Sequence, residues 1–395
     1  MSDPYKSRTI LHSLKVGLAP LEGARHLLVN RDNVTSFFKD HMKNGMSQSK
    51  SHVVFIADFF GNGKTVFGHY LMAEATRNNF LVAKIALNRG VNFNKLEAIY
   101  NNTIEVLTDD PNDFYPSFDK LLRGWVENNT KTTILSTIDQ LSDICEGFAD
   151  GLRSFYESTV QQDVLGQFRA LQHLKGAYGV SVARKKAEKI HGKISKTNAL
   201  NYFMALDSWA KTIGYSGLVF VFDEVESILN LINKRLRNQA YKNICAICDA
   251  VEGQQFSNSL FTFLLTPDLR DNPEKGISSY RPLENYIAQR FTRYQHISTL
   301  VFNDLTEEDL VQLAQELTSF HQSAYNWDPS FKITDSFVVD FVQYFNNPIL
   351  TPYTSIRRFV RQFIDILDVS SQNSDFYPQL YLSELKNKSN NINYG

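Results

Sequence analysis

At 395 residues the chain exceeds the usual size of a single hydrophobic core, so one large domain with appendages, or two domains of ordinary size, is expected. With 43% hydrophobic and 21% charged residues it is globular in composition, and a formal net charge of -1 excludes whole-molecule attraction to nucleic acid or membrane. The three cysteines, Cys145, Cys245 and Cys248, exclude a disulfide framework and suit a reducing compartment, so a cytoplasmic location is expected.

Residues 1–8 are polar and carry no apolar core of a secretion signal. Over 18–42 a loop with Pro20 and Gly23 leads into a helix-like stretch, and 51–56 is a short apolar run that ends in a glycine turn. A helix over 66–77 and a second strand over 80–87 complete a βαβ unit, the building block of a parallel sheet. Between 94 and 212 the pattern turns to long helical periodicity, read as a helical insertion. Strands resume at 218–222 and 260–265, with a helical stretch over 228–251 between them, and 296–302 is a fifth candidate. No apolar run approaches the roughly 20 residues of a membrane span, so a soluble protein with no membrane partner is expected. Helices over 306–320, 334–345 and 354–369 form a helical lid, the first opening on the acidic turn Thr306-Glu307-Glu308-Asp309. The Asn- and Ser-rich residues 386–395 read as a disordered tail.

The segment Asp58-Phe59-Phe60-Gly61-Asn62-Gly63-Lys64-Thr65 falls where a strand hands over to a helix, the context that a phosphate-binding loop requires. Gly61 and Gly63 adopt backbone angles that aim successive N–H groups at phosphate oxygens, with Asn62 and Val66 completing the loop. Lys64 supplies charge to the β and γ phosphates, and the Thr65 hydroxyl is a magnesium ligand. Asp58 stands where the usual pattern has glycine, and a carboxylate there is unfavourable unless it points away. The alternative is a surface turn that happens to contain Gly-Lys-Thr. A second motif argues against it: the apolar run 218–222 ends in Asp223-Glu224, and ligands bind at the carboxyl ends of buried parallel strands. Asp223 is expected to hold the magnesium shell and Glu224 to orient and deprotonate an attacking water.

Thr266 ends the next strand at the level of a γ phosphate and is a candidate sensor, although Thr-Pro is also an ordinary strand-ending turn. Arg290 and Arg293 precede the last strand, where a guanidinium can reach a neighbouring subunit's γ phosphate; for Arg293 a solvated helix end is the preferred reading. Arg357, Arg358 and Arg361 cluster on the lid, where one can contact the nucleotide or simply face solvent. The basic stretch 184–196 is either a local DNA contact or a solvated helix face. Cys245 and Cys248 form a CxxC with no second pair to complete a metal site.

Taken together, the phosphate loop, the Asp-Glu strand, Thr266, Gln289-Arg290-Phe291 before the last strand and a helical lid bearing an arginine resemble the AAA+ ATPase superfamily. More narrowly, the chain resembles the ATP-binding proteins of BREX-type bacterial phage-defence systems. Four segments carry this: Gly17-Leu18-Ala19-Pro20 through His26-Leu27-Leu28-Val29 with Arg31, the phosphate loop, Gly214-Tyr215-Ser216-Gly217-Leu218 leading to Asp223-Glu224, and Thr351-Pro352 with Ile356-Arg357. The resemblance runs from about residue 17 to 367. It implies ATP and Mg2+ as cofactors, ATP chemistry at Lys64, Thr65, Asp223 and Glu224, Arg290 as a finger acting in trans, and Arg357 as a second sensor. It also implies a homo-oligomer with ATP, and assembly with other defence-system proteins on DNA. Asp58 and Tyr353, the latter where the family's lid often has arginine, depart from the pattern.

The expected fold is α/β, a P-loop NTPase (AAA+-like) parallel sheet with a helical insertion and a C-terminal helical lid. Residues 1–50 lead into a P-loop ATPase domain over 51–302, with the insertion at about 94–212, the lid at 303–385 and the tail at 386–395. Two functions fit: an ATPase that couples hydrolysis to the assembly or action of a partner complex on DNA, or a nucleotide-gated adaptor with little turnover. No winged-helix module follows the lid, so autonomous sequence-specific DNA reading is not expected.

Overall fold

The computed structural model describes residues 3–48, 50–113, 117–176, 194–288, 296–347 and 355–392. It is an α/β structure around one five-stranded sheet. The strands are β1 (His52–Ala57), β2 (Phe80–Ala86), β3 (Gly217–Asp223), β4 (Ser259–Leu265) and β5 (Ile297–Val301), in the order β2-β3-β4-β1-β5. Every pairing is parallel. The central strands β3 and β4 are buried at every residue, as expected of runs covered on both faces. The edge strand β5 is mostly half-buried.

Contacts divide the chain into two compact units. The larger comprises residues 37–57 and 71–301 and holds the sheet. One sheet face carries a phenylalanine row: Phe220 stacks on Phe261 with centroids 4.7 Å apart, and Phe222 and Phe55 both meet Phe263 at 4.9 and 5.0 Å. The same core takes in the helices between residues 94 and 212, α5 (Leu96–Val106), α6 (Ser117–Asn128), α7 (Lys131–Ile144), α8 (Glu146–Val160), α9 (Val164–Leu174) and α10 (Ala199–Thr212), of which α5 and α10 lie against the sheet. Trp209, Tyr100 and Tyr202 are among its large fully buried side chains, and Phe203 meets Phe220 edge-on at 5.6 Å. Such a core residue contributes about 3–5 kcal/mol when truncated to alanine.

The helix expected over 228–251 is divided. A 3-10 turn occupies Val225–Asn230, and α11 (Lys234–Glu252) begins only after Asn233, whose side chain caps it by accepting from Leu236 N at 3.0 Å. The local asparagine cap decides the start of this helix.

The second unit comprises residues 1–36, 58–70 and 302–395. Its core joins α1 (Pro4–Lys15) to α14 (Glu307–Tyr325), α15 (Asp335–Asn346) and α16 (Ile356–Gln372) through Ile10, Leu11, Leu313, Leu317, Phe337, Phe341, Phe359 and Phe363. The acidic turn before α14 is a capping box: Thr306 and Asp309 satisfy each other's backbone N–H groups. The sequence reading passed over α1, although Asp3 caps it and Pro4 occupies its first position. The last helix, Pro378–Ile392, includes residues read from sequence as part of a tail.

Within the larger unit, His41, His52 and His296 meet where β1 pairs with β5; the first two rings lie 4.5 Å apart and the last two 5.2 Å apart. His41 Nε2, His52 Nδ1 and His296 Nδ1 have no hydrogen-bond partner among the described residues. Burial lowers His41 to about 4 and His52 to about 3, with the neighbouring imidazoles opposing a charge on each and Lys50 adding to the effect at His52. The unfolded chain takes up these protons near pH 6.5 and the folded chain does not, so stability is held above pH 6.5 and falls as the pH drops towards 4. Denaturant titrations at pH 7 and pH 5 should show this loss, with a slope of up to about 1.4 kcal/mol per pH unit for each proton. His52→Phe should flatten the slope; an unchanged slope would remove the cluster as its source.

Candidate functional site

The loop 58–65 leaves β1 at its carboxyl end and runs into α4 (Lys64–Arg77). Gly61 and Gly63 have φ values of 82° and 93°, left-handed backbone that an L side chain adopts only at a cost. A Cβ on Gly61 would lie 3.0 Å from Ser355 Cβ, whereas one on Gly63 would meet nothing within 4 Å. Lys64 is buried, and its Nζ donates to the carbonyls of Asp58 at 2.6 Å and Phe59 at 2.9 Å, with the Phe60 ring 5.4 Å away. This cation is thus held by the loop's own backbone.

Asp58 answers the question raised by its sequence position. Its Oδ1 accepts from Phe59 N at 2.7 Å and from Asn62 Nδ2 at 3.0 Å, so this oxygen is turned into the loop and braces it. Asn62 is therefore engaged through its side chain. Thr65 and Val66 occupy the first turn of α4 and are half-buried.

In the same unit, Arg357 N donates to Gly61 O at 3.2 Å, which joins the start of α16 to the loop. Ser355 caps α16, its hydroxyl accepting from Arg358 N. Arg357, Arg358 and Arg361 all have exposed side chains. Beside this junction lies a cavity of about 240 Å³, lined by Arg31, Asp58, Asn62, Asn303, Ser355 and Ile356 among others. Arg31 is only 4% exposed; it donates to Asn303 O and its guanidinium lies 4.7 Å from the Phe302 ring centroid. Burial lowers its pKa, against the opposing pull of Asp58, Asp309 and Asp304.

In the sheet unit, Asp223 is the last residue of β3 and Thr266 follows the last residue of β4. Because the strands are parallel, both sit at the carboxyl edge, the edge from which β1 also departs. Asp223 is buried; Oδ1 accepts from Glu224 N at 3.0 Å and Oδ2 pairs with Lys84 Nζ at 3.0 Å. Glu224 is exposed and left-handed, with φ of 58°, a sparsely populated conformation for a non-glycine residue of the kind that clusters at functional sites. The Thr266 hydroxyl accepts from Leu269 N at 3.4 Å and caps the short helix α12 (Pro267–Asp271). Arg290, Arg293, Tyr353 and most of the basic stretch 184–196 lie outside the described residues. Cys245 and Cys248 are buried thiols on α11; burial pushes Cys245 up to about 12 and Cys248 well above its usual value.

Sequence reasoning missed Lys84 and left Arg31, Asn303 and Ser355 without roles. Lys84 had a visible signal, as the one charged residue in an apolar strand. The others become neighbours only through tertiary packing.

A family model described as the BREX system ATP-binding protein BrxC/D matches residues 3–386, nearly the whole chain. No curated protein matches it. Titration with a fluorescent ATP analogue should separate the two loop glycines. Gly63→Ala, with only the backbone cost of about 1–2 kcal/mol, should weaken binding about tenfold. Gly61→Ala adds the collision with Ser355 and should weaken it further; equal losses would show that the Ser355 contact does not matter.

Proposed function

The chain belongs to the family of BREX system ATP-binding proteins, which implies a role in a phage-defence system, and on that premise we propose that it is a magnesium-dependent ATPase. The observation that carries the reading is the shared carboxyl edge of β1, β3 and β4, from which both the glycine loop and the Asp223-Glu224 pair depart. The loop N–H groups from Gly61 to Thr65 bind phosphate oxygens, and Lys64 exchanges the Asp58 and Phe59 carbonyls for the β and γ phosphates. The Asp223 carboxylate and the Thr65 hydroxyl are hard oxygen donors of the kind that magnesium takes alongside phosphate and water. Magnesium bound there would supply neutralising charge to the phosphates. Glu224, exposed just past the strand end, orients the attacking water and accepts its proton.

Around this centre, Thr266 reports on the γ phosphate, Arg357 contacts the nucleotide from the lid, and Arg290 acts in trans in a homo-oligomer. The 240 Å³ cavity beside the loop takes the nucleoside, with Arg31, Asn62 and Asn303 among its polar walls. Hydrolysis then drives the assembly or action of partner defence proteins on DNA, with the basic stretch 184–196 as a direct DNA contact. The chain works in the cytoplasm; among the described residues, no helix is long and apolar enough to cross a membrane.

One observation favours a second reading. The bond from Arg357 N to Gly61 O couples the phosphate loop directly to α16, so nucleotide occupancy alone can reset the lid and gate a partner-binding face. Glu224→Gln separates the two. It should keep affinity for the ATP analogue and lose roughly 10²–10⁴-fold in turnover, measured by phosphate release with partners and DNA present. Loss of phage defence in this variant supports the ATPase; full defence without turnover supports the adaptor.

A further inference from the structure

We infer that Lys84 is a positioning residue for the proposed metal centre: an internal cation that holds the Asp223 carboxylate and lowers the affinity of that carboxylate for a divalent metal. This inference rests on the reading of Asp223 as a metal ligand. β2 is apolar along its length apart from this one lysine. Lys84 stands opposite Val221 in the β2–β3 register, so Asp223, two residues further on, projects from the same face as its diagonal neighbour. The side chains are 15% and 5% exposed, and Nζ lies 3.0 Å from Oδ2. With Oδ1 accepting from Glu224 N, both carboxylate oxygens are engaged. The edge is further secured by Leu87 N, just beyond β2, which donates to Asp223 O at 2.9 Å.

Two consequences follow from electrostatics. A carboxylate this deeply buried needs a compensating positive charge, and Lys84 provides it. A divalent ion held by the same carboxylate would bring a second positive charge close to the lysine ammonium, and like charges repel strongly in a partly buried site. Lys84 therefore stabilises the metal-free state and makes metal binding weaker and more dependent on the nucleotide's own negative charge. Asp223 is bound by one cation or shared between two, and the nucleotide decides which.

The experiment follows thermal unfolding of the full chain in EDTA, then with increasing Mn2+ at a fixed, saturating concentration of a non-hydrolysable ATP analogue. The wild type is compared with Lys84→Met, Lys84→Gln, Lys84→Arg and Asp223→Asn. Both neutral variants at Lys84 should melt lower in EDTA and reach half of the Mn2+ shift at a concentration at least about tenfold lower than the wild type. Lys84→Arg should return both quantities towards wild type. The Mn2+ half-point is the deciding readout, since a merely structural lysine would change the melting temperature without moving it. An unchanged or higher half-point in the neutral variants, with the Mn2+ response abolished in Asp223→Asn, overturns the role of Lys84 alone. A full Mn2+ response in Asp223→Asn overturns the metal site itself and this inference with it.

Discussion

Parallel pairing is the constraint on which the rest of this structure depends. In a parallel sheet every strand ends on the same edge, and no strand can return to its neighbour through a tight hairpin. The chain must therefore cross over between strands, and each crossover leaves from the edge where β1, β3 and β4 terminate. The glycine loop, the Asp223-Glu224 step and Thr266 are the first residues of three such departures or lie beside them. Within the sheet unit, Asp223 and Thr266 share one edge because parallel pairing ends β3 and β4 on the same side. The long helical crossover between β2 and β3 uses the same geometry differently, folding back to cover the phenylalanine-lined face.

This logic explains which parts of the fold were legible in the sequence. Strands buried on both faces are written as unbroken apolar runs, so β3 and β4 stood out, and the shift to helical periodicity after residue 94 agrees with the helices α5 to α10. Individual helix breaks were less visible. Between α7 and α8 the chain turns at Cys145, which is extended with φ -155° and carries neither the glycine nor the proline that usually marks a boundary. The helix α1 escaped for a different reason: its buried stripe is short, Ile10, Leu11 and Leu14 with Ser7 alongside, and mixes a polar residue into the core face.

For the candidate site the division falls between local and long-range chemistry. The backbone demands of the loop are local, and Gly61 and Gly63 announce them because left-handed angles exclude most other residues. Asp58 looked like a flaw in that pattern. Its carboxylate accepts from Phe59 N and Asn62 Nδ2, contacts that depend on the folded turn and that no motif records. The link from Arg357 to Gly61 and the pairing of Lys84 with Asp223 join residues far apart in sequence, and only tertiary structure brings them together.

Each buried charge near the proposed chemistry is held by a partner that a nucleotide or metal can replace or share. Lys64 rests on two carbonyls, Arg31 on Asn303 O, and Asp223 on Lys84 and a backbone N–H. Leaving such groups unpaired would cost several kcal/mol apiece, and these contacts within the chain avoid that cost. Those internal bonds also limit how tightly a ligand binds, because every new contact displaces an existing one. A polyanion with a divalent cation offers replacements of both signs at once, whereas either alone leaves part of the set uncompensated. On the proposed reading these electrostatics would favour joint binding of nucleotide and metal over either separately, and the pairing of Asp223 with a lysine is the contact from which that expectation is argued.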